Sequence, residues 1–197
     1  MTTQIGIVLF DDVEELDFAG PWEVFASATS VDESLRVTTI AETTAAVRCA
    51  KGLRVLPGHT FADAPPLDVL VVPGGQGTRR MAGHAPMMSW LRDAGARCTW
   101  VTSVCTGALL LHEAGFARGK RVTTHWSFVQ ELRARGDIVV LERVRYVRDG
   151  NVVTAAGVSA GIDMALWLLG QLRTPDLSRE VRRYIEYSPA PPYLAET

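Results

Sequence analysis

The chain has 197 residues, 47% of them hydrophobic, which is enough apolar material for one well-buried domain spanning residues 1–197. Its formal net charge of -2, without a lysine or arginine run, excludes the polyelectrolyte footprint of a nucleic-acid binder. No apolar stretch is long and charge-free enough to span a bilayer, and Met1-Thr2-Thr3-Gln4 enters a short apolar segment without the features of a secretory signal, so a cytoplasmic protein with no membrane partner is expected.

Strand-like and helix-like periods alternate along the chain. Ile5 to Phe10 is a continuous apolar run, as expected of a parallel strand covered on both faces. An acidic loop from Asp11 to Asp17 follows, and Pro21 and Trp22 open a predicted helix that runs to Ala28. Leu35 to Ile40 reads as a strand, Val47 to Thr60 as a hairpin or irregular excursion, and Asp68 to Val72 as a buried strand ended by Pro73-Gly74-Gly75-Gln76-Gly77. A helix over Pro86 to Ala94, a strand over Cys98 to Thr102 and a helix over Thr106 to Ala114 come next. Arg121 to Thr123 forms a short strand and Ser127 to Arg135 a helix; Val139 to Val147 and Asn151 to Thr154 are strands turning at Asp149-Gly150. Helices over Ser159 to Leu172 and Leu177 to Tyr187 close the chain before Pro189, Pro191 and Pro192 stop regular structure. This alternation predicts an α/β sandwich with a mostly parallel central sheet.

Ligands of such sheets bind beyond the carboxyl ends of the strands, where the strand order reverses. Three segments fall there: Asp11 to Asp17, Gly74 to Gly77, and Cys105. Cys105 ends the β-branched run Val101-Thr102-Ser103-Val104 and precedes a small-residue helical stretch, an arrangement like a nucleophile elbow in which the first free amides of the helix favour a thiolate. The competing reading is an inert, buried thiol. Asp17, between Leu16 and Phe18, is drawn inward, where desolvation and a neighbouring thiolate would raise its pKa until it can exchange a proton near neutrality. Glu15 competes for that role, and Glu14 reads as a surface charge.

The remaining candidates each have a plainer alternative. Gly74 and Gly75 either supply N–H donors to an anionic intermediate or simply make a tight turn; the segment lacks the spacing of a phosphate or dinucleotide loop. Thr106 either caps its helix or bonds an intermediate, and His125 either orients a ligand or serves structure at a helix start. Trp22, Trp126 and Phe128 are the aromatic side chains expected to set pocket width. Three cysteines, Cys49, Cys98 and Cys105, suit free thiols in a reducing compartment, and the scattered His59, His84, His112 and His125 give no metal-ligand spacing.

Taken together, Leu16-Asp17-Phe18-Ala19-Gly20-Pro21, Pro73-Gly74-Gly75-Gln76-Gly77, Val101-Thr102-Ser103-Val104-Cys105-Thr106-Gly107, Thr123-Thr124-His125-Trp126, Val147-Arg148-Asp149-Gly150-Asn151 and Gly161-Ile162-Asp163 resemble the ThiJ/PfpI (DJ-1/PfpI-like) superfamily, and within it the isocyanide hydratase branch. The resemblance implies a flavodoxin-like three-layer sandwich of the class I glutamine amidotransferase kind, a homodimer, and a pocket holding the nucleophile Cys105 beside Asp17, Thr106 and the glycine-rich turn. It further implies a hydro-lyase that hydrates a small-molecule isocyanide to an N-substituted formamide through a thioimidate, with no metal or organic cofactor. Peptidases of the superfamily carry Cys-His where this chain has Cys105-Thr106, which argues against proteolysis. Regulators of the AraC type add a helix-turn-helix pair, which the sequence to Thr197 does not contain. Glyoxalase-like hydration of 2-oxoaldehydes and a non-enzymatic redox or small-molecule sensor are the alternative readings on the same scaffold.

Overall fold

A computed structural model describes residues 2–188, so the predicted stop at Pro189, Pro191 and Pro192 lies outside the described residues. In chain order the elements begin β1 (Thr3–Val8), α1 (Glu15–Thr29), β2 (Leu35–Ala41), β3 (Val47–Arg48), β4 (Arg54–Val55), β5 (His59–Thr60), β6 (Val69–Val72), α2 (Thr78–Met81) and α3 (Ala85–Gly95). They continue β7 (Trp100–Val104), α4 (Gly107–Glu113), β8 (Arg121–Val122), a 3-10 turn (Trp126–Phe128), α5 (Val129–Arg133) and β9 (Val139–Val140). The last are β10 (Tyr146–Asp149), β11 (Val152–Ala155), α6 (Ala160–Leu172) and α7 (Pro175–Tyr184).

The fold is a flavodoxin-like three-layer α/β sandwich around a seven-stranded sheet of order β10-β11-β7-β6-β1-β2-β5. Only β10 runs antiparallel to its neighbour. The helices α1, α6 and α7 pack on one another as one layer, while α3 packs on β6, α4 on β6 and β7, and α2 on α4. Every residue of β6 is buried, as its unbroken Val69-Leu70-Val71-Val72 run requires of a strand covered on both faces. The chain adds β2 on one side of β1 and β6 on the other, so the strand order reverses at β1. The loops after β1, β6 and β7 therefore meet at one edge, as the strand-end argument predicts.

The first helix departs from expectation. It starts at Glu15, with Pro21 inside it and Glu14 as an N-cap without a side-chain bond. Pro21 offers no amide to the carbonyl of Asp17 four residues earlier, and proline is most familiar in a first turn, so the sequence suggests a start six residues too late. Glu15 and Asp17 thus belong to the first helical turn, where the dipole favours acids, and not to a loop. The predicted strand Val139 to Val147 is also broken: β9 pairs with β8 in a separate two-stranded sheet, β10 joins the main sheet, and Arg143 between them adopts a left-handed φ of 59°.

Gly20 and Gly161 let α1 and α6 approach closely. A Cβ on Gly161 would lie 3.1 Å from Val104 Cγ2 and 3.3 Å from Pro21 Cγ, and one on Gly20 would lie 2.9 Å from Ile162 Cγ1. Gly161→Val is expected to lower the unfolding free energy by about 1–3 kcal/mol through overpacking, read as a fall in the urea midpoint. An unchanged midpoint would show that α6 shifts outward without cost.

Candidate active site

Cys105 stands between β7 and α4 with a φ of 57°, a left-handed conformation costly for any residue with a Cβ. The bend is held from three sides. The Cys105 N–H donates to Ala155 O at 3.0 Å, and Thr124 Oγ1 donates to Cys105 O at 2.8 Å. Gly157, at a φ of 128°, lies so close that an added Cβ would stand 3.2 Å from Sγ. The elbow expected from the sequence is present, and the residue is only 7% exposed.

Asp17 is fully buried, and its Oδ2 accepts the Gly74 N–H at 3.0 Å. Its Oδ1 is buried without a hydrogen-bond partner among the described residues. Cys105 faces the carboxyl closely enough for each group to alter the other's proton affinity. Burial pushes Asp17 up to about 7, and Glu14 adds to the rise; the Gly74 amide, Cys105 and Lys51 oppose it. Burial, and next the Asp17 carboxylate, push the Cys105 thiol up to about 12. This runs against the expected resting thiolate: the Thr106 amide at the helix start lowers the value, while desolvation in a pocket that already holds a carboxyl raises it. Burial therefore favours the protonated form of both groups, and the carboxylate and the sulfur compete for the proton between them.

Glu15, the competing acid, is turned away. Its Oε1 accepts the Lys51 N–H at 2.6 Å, while Lys51 Nζ pairs with Glu14. Thr106 does not cap α4 with its side chain. Its hydroxyl accepts the Gly75 N–H at 2.9 Å and reaches Gly75 O at 3.1 Å, and Thr78 Oγ1 donates to that carbonyl at 2.8 Å. The amides of Gly74 and Gly75 are therefore engaged by Asp17 and Thr106, so the glycine-rich turn braces these two side chains instead of presenting free oxyanion donors. A Cβ at Gly74 would lie 2.5 Å from Thr106 N and 2.9 Å from Asp17 Oδ2, which is why only glycine fits.

A cavity of about 490 Å³ opens beside the elbow, lined among others by Thr124, His125, Trp126, Arg143, Ala156 and Gly157. Cys105 is behind Gly157 and does not itself form the wall. His125 caps the 3-10 turn: its Nδ1 accepts the Ser127 N–H at 3.3 Å and lies 2.8 Å from Ser127 Oγ. The three aromatic side chains separate. Trp126 stands 81% exposed at the cavity, Phe128 is core, and Trp22 borders a different surface depression with Glu33 and Arg36. Gly157 and Ala156 escaped the sequence reading although the strand-end rule reaches them, since β11 lies beside β7 and ends at Ala155. Among the described residues no three His, Cys, Asp or Glu side chains are grouped as a metal ion requires.

The DJ-1/PfpI family pattern matches residues 3–171. The chain is 42% identical over 193 residues to the isonitrile hydratase of Pseudomonas putida, covering 98% of this chain and 82% of that protein. It is 26% identical over 187 residues to the HTH-type transcriptional regulator GbdR of Pseudomonas aeruginosa, covering 93% of this chain but 50% of the regulator. The crystal structure of a ThiJ/PfpI family protein from Pseudomonas syringae superimposes with a TM-score of 0.90 at 33% identity, covering 100% of this chain and 80% of that one. Drosophila melanogaster DJ-1beta shares the fold, with a TM-score of 0.82 at 23% identity over 96% of this chain and 100% of that one. With a matching pattern over most of its length and an elbow cysteine at the end of β7, the chain belongs to the DJ-1/PfpI family.

Proposed function

We propose that the protein hydrates an isocyanide to the N-substituted formamide, with Cys105 as nucleophile and Asp17 carrying its proton. The observation behind this reading is the buried pair of Asp17 and Cys105, in a chain 42% identical to a protein named isonitrile hydratase. Asp17 as carboxylate takes the thiol proton while Sγ attacks the terminal isocyanide carbon, then delivers that proton to the same carbon. The product is a thioimidate, R–N=CH–S–Cys105. Water adds to its carbon, and one water proton passes by way of Asp17 to nitrogen. The C–S bond then breaks, the remaining hydroxyl proton returns to sulfur, and R–NH–CHO leaves beside the resting thiol. Substrate and water supply every atom of the product, so the cycle consumes no cofactor. Thr106 holds the Gly75 turn in place, and through it the amide that grips Asp17. With this reading go a cytoplasmic setting, from the sequence, and a homodimer, from the family resemblance.

Gly157→Ala would put a methyl against Sγ and strain a left-handed backbone, and is expected to reduce kcat/KM by roughly 10²-fold with the fold retained by circular dichroism. Parent-level turnover in that variant would show that the elbow tolerates displacement. The reading itself is tested with cyclohexyl and aryl isocyanides beside methylglyoxal, products being read by mass spectrometry. Formamide is expected. Lactate without formamide would replace the proposal with glyoxalase-like hydration. A ligand-dependent rise in melting temperature with no product would replace it with a binding domain, the second reading, which the likeness to half of a transcriptional regulator favours.

A further inference from the structure

Arg143 lies outside the mechanism. It sits in the break between β9 and β10 at a φ of 59° and lines the cavity beside the elbow. Left-handed backbone is unfavourable for an arginine, and among the described residues its exposed guanidinium makes no salt bridge and no side-chain hydrogen bond. Its neighbours differ. Glu142, on the same wall, pairs with Arg133 Nη1 at 2.6 Å, and Arg145 is bound to Asp163 and to Ser159 Oγ at 3.1 Å.

His125 offers a second donor to this space. Because its Nδ1 accepts from the Ser127 amide, the neutral ring carries its proton on Nε2, a tautomer assigned from the hydrogen bonds, and Nε2 has no protein partner among the described residues. The indole of Trp126 stands next to it, with ring centroids 5.5 Å apart. One fixed cation, one ring N–H donor and an exposed aromatic face suit a monoanion carried on an apolar body. A guanidinium pairs with a carboxylate through two parallel N–H···O bonds, and the carboxylate keeps an edge for the imidazole.

We infer that the isocyanide taken by this site carries a carboxylate, held by Arg143 and His125 at the cavity while the isocyano carbon reaches past Gly157 toward Cys105. The inference rests on the isocyanide reading above and makes Arg143 a specificity-determining residue.

The test compares 4-isocyanobenzoate with its methyl ester in the parent protein and in Arg143→Gly, which suits the left-handed backbone, and Arg143→Lys, which keeps the charge. The parent is expected to favour the acid by about tenfold or more in kcat/KM. In Arg143→Gly the acid-to-ester ratio falls toward one, chiefly through the KM of the acid, and Arg143→Lys recovers part of it. Equal use of acid and ester by the parent, or a preference that survives Arg143→Gly, overturns the carboxylate grip while leaving isocyanide hydration standing. No turnover of the acid, the ester or cyclohexyl isocyanide removes the hydration reading, and this inference with it.

Discussion

Replacing Cys105 with alanine is expected to lower formamide production by at least about 10³-fold, to the level of the uncatalysed reaction. No other thiol can take its place. Cys49 and Cys98 are also buried and raised, but the Asp17 carboxyl bears on Cys105 and is not among the groups acting on either of them. Cys98 Sγ lies in the core, donating toward Leu67 O at 3.4 Å and Ala94 O at 3.3 Å. The substitution removes one sulfur atom and leaves intact the bond that the residue 105 N–H donates to Ala155 O and the one its carbonyl accepts from Thr124 Oγ1, so the melting temperature should stay close to that of the parent. Product formation by mass spectrometry, with circular dichroism as the folding control, makes the measurement. Retained turnover in a folded variant would remove the nucleophile from the proposal.

Asp17→Asn is expected to reduce kcat/KM by roughly 10²–10⁴-fold, since the amide keeps an acceptor for the Gly74 N–H but cannot take the thiol proton. The parent profile should rise through a pKa of about 7 as Asp17 becomes a carboxylate, and the variant should lack that limb. The same substitution has an opposite effect on stability. Asp17 is raised from 3.8 to about 7 by folding, so its contribution is fully present below pH 4 and is lost as pH rises through 7. Between those values the native state keeps a proton that the unfolded chain releases, and the parent loses on the order of 4 kcal/mol from this group. Asp17→Asn does not titrate there. Urea unfolding at pH 4 and pH 8 should therefore show the variant gaining on the parent as pH rises, although it is the less active protein. Parallel pH dependences of stability would mean that the carboxyl is not desolvated as its burial implies.

Much of the frame was legible in residues alone. The runs Ile5 to Phe10, Asp68 to Val72 and Cys98 to Thr102 read as strands because burial on both faces leaves no room for alternation; the observed strands end at Val8, Val72 and Val104, and these ends mark the site because loops must leave a parallel sheet there. The start of α1 was not legible, since Glu14 is a poor capping signal and Pro21 a strong false one. Thr106 looks from its position like a helix cap, but its hydroxyl reaches a loop from another strand, Gly75, 31 residues earlier. The break at Arg143 carries no glycine or proline, so Val139 to Val147 reads as unbroken.

The sequence by itself determined the parallel sandwich, the cysteine at a strand end and the acid that could serve it, because hydrophobic period and turn chemistry are local properties. Only the tertiary structure decided which acid lies beside the cysteine, how burial shifts the proton affinity of both and which donors face the cavity. Proton affinity in a buried pair depends on everything packed around it: Gly74, Glu14 and Lys51 come from separate segments, and their joint effect with burial raises Asp17 to about 7 and raises the Cys105 thiol beside it.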